Sequence, residues 1–190
     1  MARFLLIRHG KTQGNMERRY IGDMDEPLCD EGRRSVQALL ESGALPPVDL
    51  LMSGPALRCR QTAELLFPNK PYAICPMREI DFGLFKGKNA DGLWGDKDYE
   101  AWLETGCMGD IPSGDSVSAF KERCCDAFRR IAETSGPGTM ALVVHGGNIM
   151  AILERFALPK RDFYDRRVPN CGHFLCRWAN GALAVEGESP

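Results

Sequence analysis

Apolar residues gather in four short β-rich runs at 4–7, 48–52, 72–75 and 141–144. The first and last are continuous enough to predict strands buried on both faces. Between the runs the apolar spacing changes to three and four. Val36, Leu39 and Leu40 mark one helix after Asp30-Glu31-Gly32, and Pro55, just inside the start of 55–66, suits the first position of a second. Val117, Phe120, Cys124, Phe128 and Ile131 recur at helical intervals and predict an amphipathic helix over 116–134. A fourth helix is expected from about Asn148 to Ala157.

Strands that alternate with helices predict an α/β fold, a three-layer sandwich with a mostly parallel central sheet. In such sheets the ligand sits beyond the carboxyl ends of the strands. Here the first strand ends at Arg8-His9-Gly10, the second is followed by Ser53 and Arg58, the third by Glu79, and the fourth ends at His145-Gly146-Gly147. Near the carboxyl end, Asn180-Gly181 separates Phe174–Trp178 from Leu183–Val185, which reads as a hairpin closing the sheet. Residues 86–114 hold Gly, Asp, Lys and the aromatics Trp94, Tyr99 and Trp102, an excursion suited to a small lid or substrate wall. The length of 190 residues fits a single domain spanning 1–190.

Composition narrows the partners. Lys+Arg 24 against Asp+Glu 26 leaves a net charge of -2, so no global field draws the chain to nucleic acid or an anionic membrane. The amino terminus lacks the pattern of a signal peptide, and no run approaches a membrane span. Eight cysteines at irregular spacing, with no Cys-x-x-Cys pair, read as reduced thiols of a cytoplasmic protein. The expected partner is a small-molecule phosphomonoester, without nucleic acid, membrane or cofactor, and the assembly is left open between monomer and homodimer.

That substrate class follows from the chemistry of the strand ends. Guanidinium forks such as those of Arg8 and Arg58 match phosphate oxygens. A neutral imidazole can attack phosphorus to give a phosphohistidine, splitting one displacement into two. A second imidazole, when protonated, stabilises charge on the equatorial oxygens, and a carboxylic acid supplies the proton a leaving alkoxide needs. Zinc is the competing use of two histidines. Arginines aimed at the same point would repel the cation, and no metal is expected.

At this point the motifs carry a resemblance. Arg8-His9-Gly10-Lys11-Thr12-Gln13-Gly14-Asn15, Arg58-Cys59-Arg60-Gln61-Thr62-Ala63, Glu79-Ile80-Asp81-Phe82-Gly83 with Gly87, and His145-Gly146-Gly147 resemble, in order and spacing, the segments of the histidine phosphatase superfamily. The similar branch is the one that contains cofactor-dependent phosphoglycerate mutases and small phosphatases such as α-ribazole phosphatase. The resemblance implies a phosphoglycerate mutase-like fold, with His9 as nucleophile, Glu79 as proton donor and His145 as the second histidine. It further implies Arg8, Asn15 and Arg58 as phosphate ligands, with Thr12, Gln13 and Gly146 as further candidates for substrate contact.

Four departures bear on what transfers. Cys29 stands where many members have Thr before the first helix, so the cap is weak or falls to Asp30. Asp115 replaces Glu in Pro112-Ser113-Gly114-Asp115-Ser116, Phe85-Lys86-Gly87 replaces Trp-Glu-Gly, and Met150 stands where an Arg is common. Asp81 rivals Glu79 as the acid, and position favours Glu79. A cation-rich pocket is expected to lower the carboxyl pKa, with bound phosphate restoring the proton. The aromatics of 86–114 are expected to anchor the lid, with stacking on substrate as the alternative. Lys11, Arg18 and Arg19 either meet a second anionic group or form a solvated loop. The reading is a phosphomonoesterase. A phosphoglycerate mutase is the alternative, and a non-catalytic phospho-ligand binder ranks below both.

Overall fold

The computed structural model describes residues 1–189, so that Pro190, the last position of the expected domain, lies outside the described residues. Its elements run β1 (Ala2–Arg8), α1 (Gln13–Met16), α2 (Asp30–Glu41), β2 (Leu50–Ser53), α3 (Leu57–Leu66), β3 (Ala73–Ile74), α4 (Lys97–Glu104), α5 (Val117–Thr134), β4 (Gly138–Val144), α6 (Gly146–Phe156), β5 (Ala157–Leu158), β6 (His173–Ala179) and β7 (Ala182–Glu188). The seven strands form one sheet in the order β3-β2-β4-β1-β6-β7-β5. Neighbours from β3 to β1 are parallel; β6 runs antiparallel to both β1 and β7, and β5 is parallel to β7. This is the expected α/β architecture with a mostly parallel sheet.

Strand alternation divides the interior into two cores. Phe4 and Leu6 of β1 and Leu142 and Val144 of β4 pack with Phe120 and Phe128 of α5 and Ile149 and Ile152 of α6. The intervening Leu5, Ile7, Ala141 and Val143 face the other way, against Val36 of α2 and Cys59, Ala63 and Leu66 of α3. Successive residues of a strand point to opposite faces, so a run apolar at every position serves a helix layer on each side. Each fully buried leucine or isoleucine here contributes roughly 1.5–3 kcal/mol.

Several helix starts differ from the sequence expectation, for local reasons. The second helix begins at Leu57, leaving Pro55 outside it. Ala56 has no polar side chain to cap with, and Asp25 Oδ1, from the segment before α2, instead accepts from the Leu57 N–H at 2.6 Å. At α2 the cap is Cys29 rather than Asp30, its Sγ accepting from Gly32 N–H at 3.4 Å, a weak bond as expected for sulfur. Helix α6 starts at Gly146 because Asn148 folds its Oδ1 back onto the His145 N–H at 3.3 Å. The hairpin forms as expected, with Asn180 and Gly181 both at positive φ (51° and 75°), the values a tight two-residue turn requires.

The 86–114 excursion carries α4, capped by Asp96 through the N–H groups of Asp98 and Tyr99. Tyr99 and Trp102 turn inward and pack edge-on against Tyr20, while Trp94 stands 91 % exposed. Two of the three aromatics therefore anchor the segment and the third does not. Among the described residues no helix is long and apolar enough to cross a membrane.

Candidate active site

Strand register brings the two histidines together. Arg8 at the end of β1 pairs with Val144 at the end of β4, and the His9 N–H continues the ladder to Val144 O at 3.0 Å. The next residue on each strand is a histidine. Their rings meet edge to face with centroids 5.2 Å apart. Ser53 of β2 lies opposite Val143, so Arg58, in the first turn of the following helix, arrives from the other side of β4.

The tautomer of His9 follows from its partners. Nδ1 lies 2.7 Å from Gly10 O, and a carbonyl can only accept, so Nδ1 carries the proton. Nε2 is then the free lone pair, and it receives Arg58 Nε–H at 3.3 Å. Burial first, then the charges of Arg58 and Arg8, hold this imidazole well below the ordinary histidine range. His9 is thus a neutral ring, unprotonated at Nε2, beside two cations.

His145 is fully buried behind Arg58. Arg58 Nη2, a donor only, meets its Nδ1 at 3.2 Å, which leaves the Nε2 proton directed at Cys59 Sγ, 3.6 Å away. Burial, then Arg58, His9 and Arg8, lower its pKa as well. Arg58 itself is 1 % exposed, and its two terminal nitrogens are fixed by Met24 O and Gly22 O, each at 2.6 Å. Those carbonyls are parts of the site that no motif announces.

Arg8 donates through Nη1 to Val168 O at 2.7 Å, while its buried Nε has no partner among the described residues. Asn15 directs its Oδ1 inward, accepting from Thr12 N at 3.1 Å and Asn170 Nδ2 at 3.3 Å, and the amide NH2 is left to face the cavity that Asn15 lines. Asn170 also reaches His9 O at 3.0 Å. Val168 and Asn170 were missed from sequence, and only the Asn-Cys-Gly turn at 170–172 hinted that the chain folds back here. Gly146 lines the cavity with Arg8 and His9. Thr12 is instead a buried helix cap and Gln13 an exposed partner of Glu17; neither reaches the cavity lining.

Glu79 and Asp81 are separated by environment. Asp81 lies outside the cavity lining, bonded to Lys86 at 2.8 Å and to the Gly83 N–H at 2.7 Å. Burial alone would raise its pKa, but these bonds outweigh it and the net shift is downward. Glu79 is partly exposed, lines the cavity, and seats Oε1 so close to Gly147 that a Cβ there would lie 2.5 Å from it. Only glycine permits that approach. Burial raises the Glu79 pKa and outweighs the Ile80 N–H bond and the charges of Arg58 and Arg8, which pull it down. This corrects the expectation that the arginines would set the shift: burial outweighs them and the net shift is upward before any phosphate arrives.

The cavity encloses about 550 Å³, within the range of small-molecule sites. Beyond the phosphate end its walls are largely apolar, including Tyr20, Phe82, Trp102, Phe120 and Phe163. Of the basic residues near the entrance, Lys11 pairs with Glu31 at 3.1 Å, and Arg19 with Glu17 at 2.7 Å and Glu26 at 3.0 Å. Among the described residues no three His, Cys, Asp or Glu side chains converge as a metal site requires.

Comparison with known proteins agrees with this geometry. The family model of the histidine phosphatase superfamily (branch 1) matches residues 4–188. A protein of Klebsiella pneumoniae named probable phosphoglycerate mutase GpmB is 31% identical over 153 residues, covering 77% of this chain and 70% of that protein. Among solved structures, a phosphoglycerate mutase from Thermus thermophilus is 31% identical with a TM-score of 0.74, over 99% of this chain and 98% of that one. A putative α-ribazole-5'-P phosphatase from Escherichia coli, 22% identical, shares the fold with a TM-score of 0.90, over 100% of this chain and 96% of that one.

Proposed function

Because the chain belongs to branch 1 of the histidine phosphatase superfamily, we propose that it is a phosphomonoesterase that hydrolyses a small phosphorylated metabolite through a phosphohistidine at His9. What carries this reading is the pairing of a neutral His9, its Nε2 unprotonated and turned to Arg58, with a cavity carboxyl at Glu79 whose pKa burial raises.

In the first step the substrate phosphoryl group takes the guanidinium donors of Arg8 and Arg58 and the Asn15 amide. Arg58 Nε–H passes from His9 to a phosphate oxygen, releasing the Nε2 lone pair. Nε2 forms a bond to phosphorus as the bond to the leaving oxygen breaks, and that oxygen takes the Glu79 proton. The Gly10 carbonyl stabilises the positive charge that develops at Nδ1–H. In the second step water attacks phosphorus, its proton passes to the Glu79 carboxylate, and the N–P bond breaks to give inorganic phosphate and neutral His9. His145, kept neutral by burial first and then by Arg58, His9 and Arg8, accepts from Arg58 Nη2 and holds that guanidinium beside the phosphate.

The relatives named phosphoglycerate mutase favour a second reading, phosphate transfer within a phosphoglycerate. A mutase must keep water from its phosphoenzyme; length does not separate the two readings, since the Thermus thermophilus phosphoglycerate mutase is matched over 99% of this chain and 98% of that one. We also place the protein in the cytoplasm, since all eight cysteines are free thiols, as a reducing compartment keeps them.

The test is hydrolysis of p-nitrophenyl phosphate in EDTA, with alkaline quenching to trap labelled phosphohistidine, whose N–P bond survives base. Activity that survives His9→Ala, or that EDTA abolishes, refutes the mechanism. Isomerisation of 3-phosphoglycerate, stimulated by the bisphosphate and faster than hydrolysis, would establish the mutase instead.

A further inference from the structure

Glu79 sits on chain that has no strand ladder to hold it. Residues 75–82 form neither helix nor strand, and the bond that the carboxyl accepts from the Ile80 N–H, at 3.0 Å, lies within the same segment. Backbone groups of an irregular segment must find partners elsewhere, and those partners decide where the segment lies. On both sides of Glu79 the partner is Asp115.

Asp115 Oδ1 accepts from Arg78 Nη2 and its Oδ2 from the Asp81 N–H, each at 3.0 Å. Its own N–H donates to Asp81 O at 2.9 Å. Arg123 of α5 closes the figure, with Nη2 donating to Asp115 Oδ2 at 3.0 Å and Nη1 to Arg78 O at 3.1 Å. The residue before Glu79 is thus held by its side chain and its carbonyl, and the second residue after it by both backbone groups. The two loops lie very close. A Cβ on Gly114 would stand 2.4 Å from Asp81 O, and one on Gly83 would stand 2.1 Å from Pro112 O. Across so narrow a gap the shorter acid, Asp115 where the family pattern has Glu, reaches all of its partners.

We propose that Asp115, joined to Arg78 and Arg123, is a positioning residue for the general acid: it fixes where the Glu79 carboxyl meets the leaving oxygen and touches no reacting atom itself. The catalytic consequence rests on the phosphomonoesterase reading; the hold on Glu79 does not. Each of the two ion pairs is partly open to solvent and alone contributes little. Their joint effect is geometric, because catalytic groups need placement within about 0.5 Å and a misplacement of about 1 Å costs up to about 10²-fold. The carboxylate is needed as such, since all three groups that face its oxygens are donors. An amide there would turn its NH2 against at least one of them.

The test is Asp115→Asn, read by kinetics on two esters and by amide exchange at Ile80, whose N–H reports the seat of the Glu79 carboxyl. Hydrolysis of glycerol 2-phosphate is expected to lose about tenfold or more in kcat with KM little changed. Hydrolysis of p-nitrophenyl phosphate, whose leaving group needs little protonation, should lose far less. In a Glu79→Gln background the same change should cost almost nothing further, and Asp115→Glu, which keeps the charge, should recover part of the loss. Exchange at Ile80 should quicken about tenfold while the amides of β1 and β4 keep their native protection. Arg123→Met, which leaves the bonds between Asp115 and Asp81 in place, should give the same pattern at smaller size. Equal losses on the two esters, a full additional loss in the Glu79→Gln background, or unchanged exchange at Ile80 overturns the positioning role. A native protein that hydrolyses neither ester refutes the phosphatase reading instead, and the exchange at Ile80 then decides the hold on Glu79 by itself.

Discussion

The imidazole rings of His9 and His145 stand 5.2 Å apart at 72° to each other, and one guanidinium, that of Arg58, touches both. Arg58 adds its charge to the burial that keeps both imidazoles neutral, and it occupies Nε2 of His9 and Nδ1 of His145. A lysine at this position could not reach both rings and two carbonyls from a single ammonium. Arg58→Lys is expected to lower kcat/KM by about 10²-fold or more, the scale of losing a charged donor to the transition state. The unpaired carbonyls of Gly22 and Met24 would cost about 1–3 kcal/mol of stability. Steady-state kinetics and thermal melts check the two effects separately, and near-native kcat/KM would dismiss the bridging role.

Burial raises the Glu79 pKa in spite of the arginines. Its contribution should therefore depend on how much help the leaving group needs. Glu79→Gln is expected to slow hydrolysis of an alkyl phosphate by about 10²–10⁴-fold, while p-nitrophenyl phosphate, whose leaving group needs little protonation, loses far less. The sign with pH is fixed: activity on alkyl phosphates falls as pH rises through the Glu79 pKa, and the variant lacks that limb. Equal losses on both substrates would mean that Glu79 is not the acid.

The sequence made these residues visible because each lies immediately beyond a strand or at the first turn of a helix. The apolar runs ending at Arg8 and Val144 carry the sheet, and parallel pairing forces the residues that follow them to the same edge. What was hidden depends on backbone atoms and on chain that returns from far away. The carbonyls of Gly22, Met24 and Val168 have no side-chain identity to read, and Asn170 reaches His9 across 161 positions. The net shift of Glu79 was misjudged for a related reason. Nearby charges can be counted in a sequence, but the depth of protein around a carboxyl cannot, and here depth wins. Trp94 and Trp102 show the same limit, since identical side chains eight positions apart end in solvent and in a cavity wall.

Asn148 ties the acid to the second histidine. Its Oδ1 accepts from His145 N–H at 3.3 Å, and its Nδ2 donates to the carbonyl of Arg78, which directly precedes Glu79, at 3.2 Å, and to Cys124 Sγ at 2.9 Å. It touches no reacting atom, so it is a positioning residue. Asn148→Leu should lower kcat about 10–100-fold with KM little changed, the cost of a small misplacement of catalytic groups. The alkaline limb that reports Glu79 should move with it. Asn148→Asp keeps the acceptor for His145 and should recover part of the loss. If stability falls while kcat and the pH profile hold, the residue is structural only.

The buried histidines also set how stability responds to acid. Both have folded-state pKa values well below the ordinary histidine range, whereas an unfolded chain protonates them near an ordinary value of about 6.5. Below that value the unfolded state binds protons the folded state refuses, so stability is lost as pH falls through the ordinary range and on toward the folded pKa values. Two such groups give a limiting slope of about 2.7 kcal/mol per pH unit. Glu79 acts in the opposite sense. Its raised folded-state pKa means the unfolded chain releases that proton first, so its part of the stability falls as pH rises through the carboxylate range. Where the two ranges meet, Glu79 offsets part of the histidine loss and the net slope falls below the limit. Urea unfolding at a series of pH values from about 7.5 down to about 5 measures it, and His9→Asn should reduce the slope by one proton. A flat profile across that range would show that His9 and His145 are not buried as neutral rings.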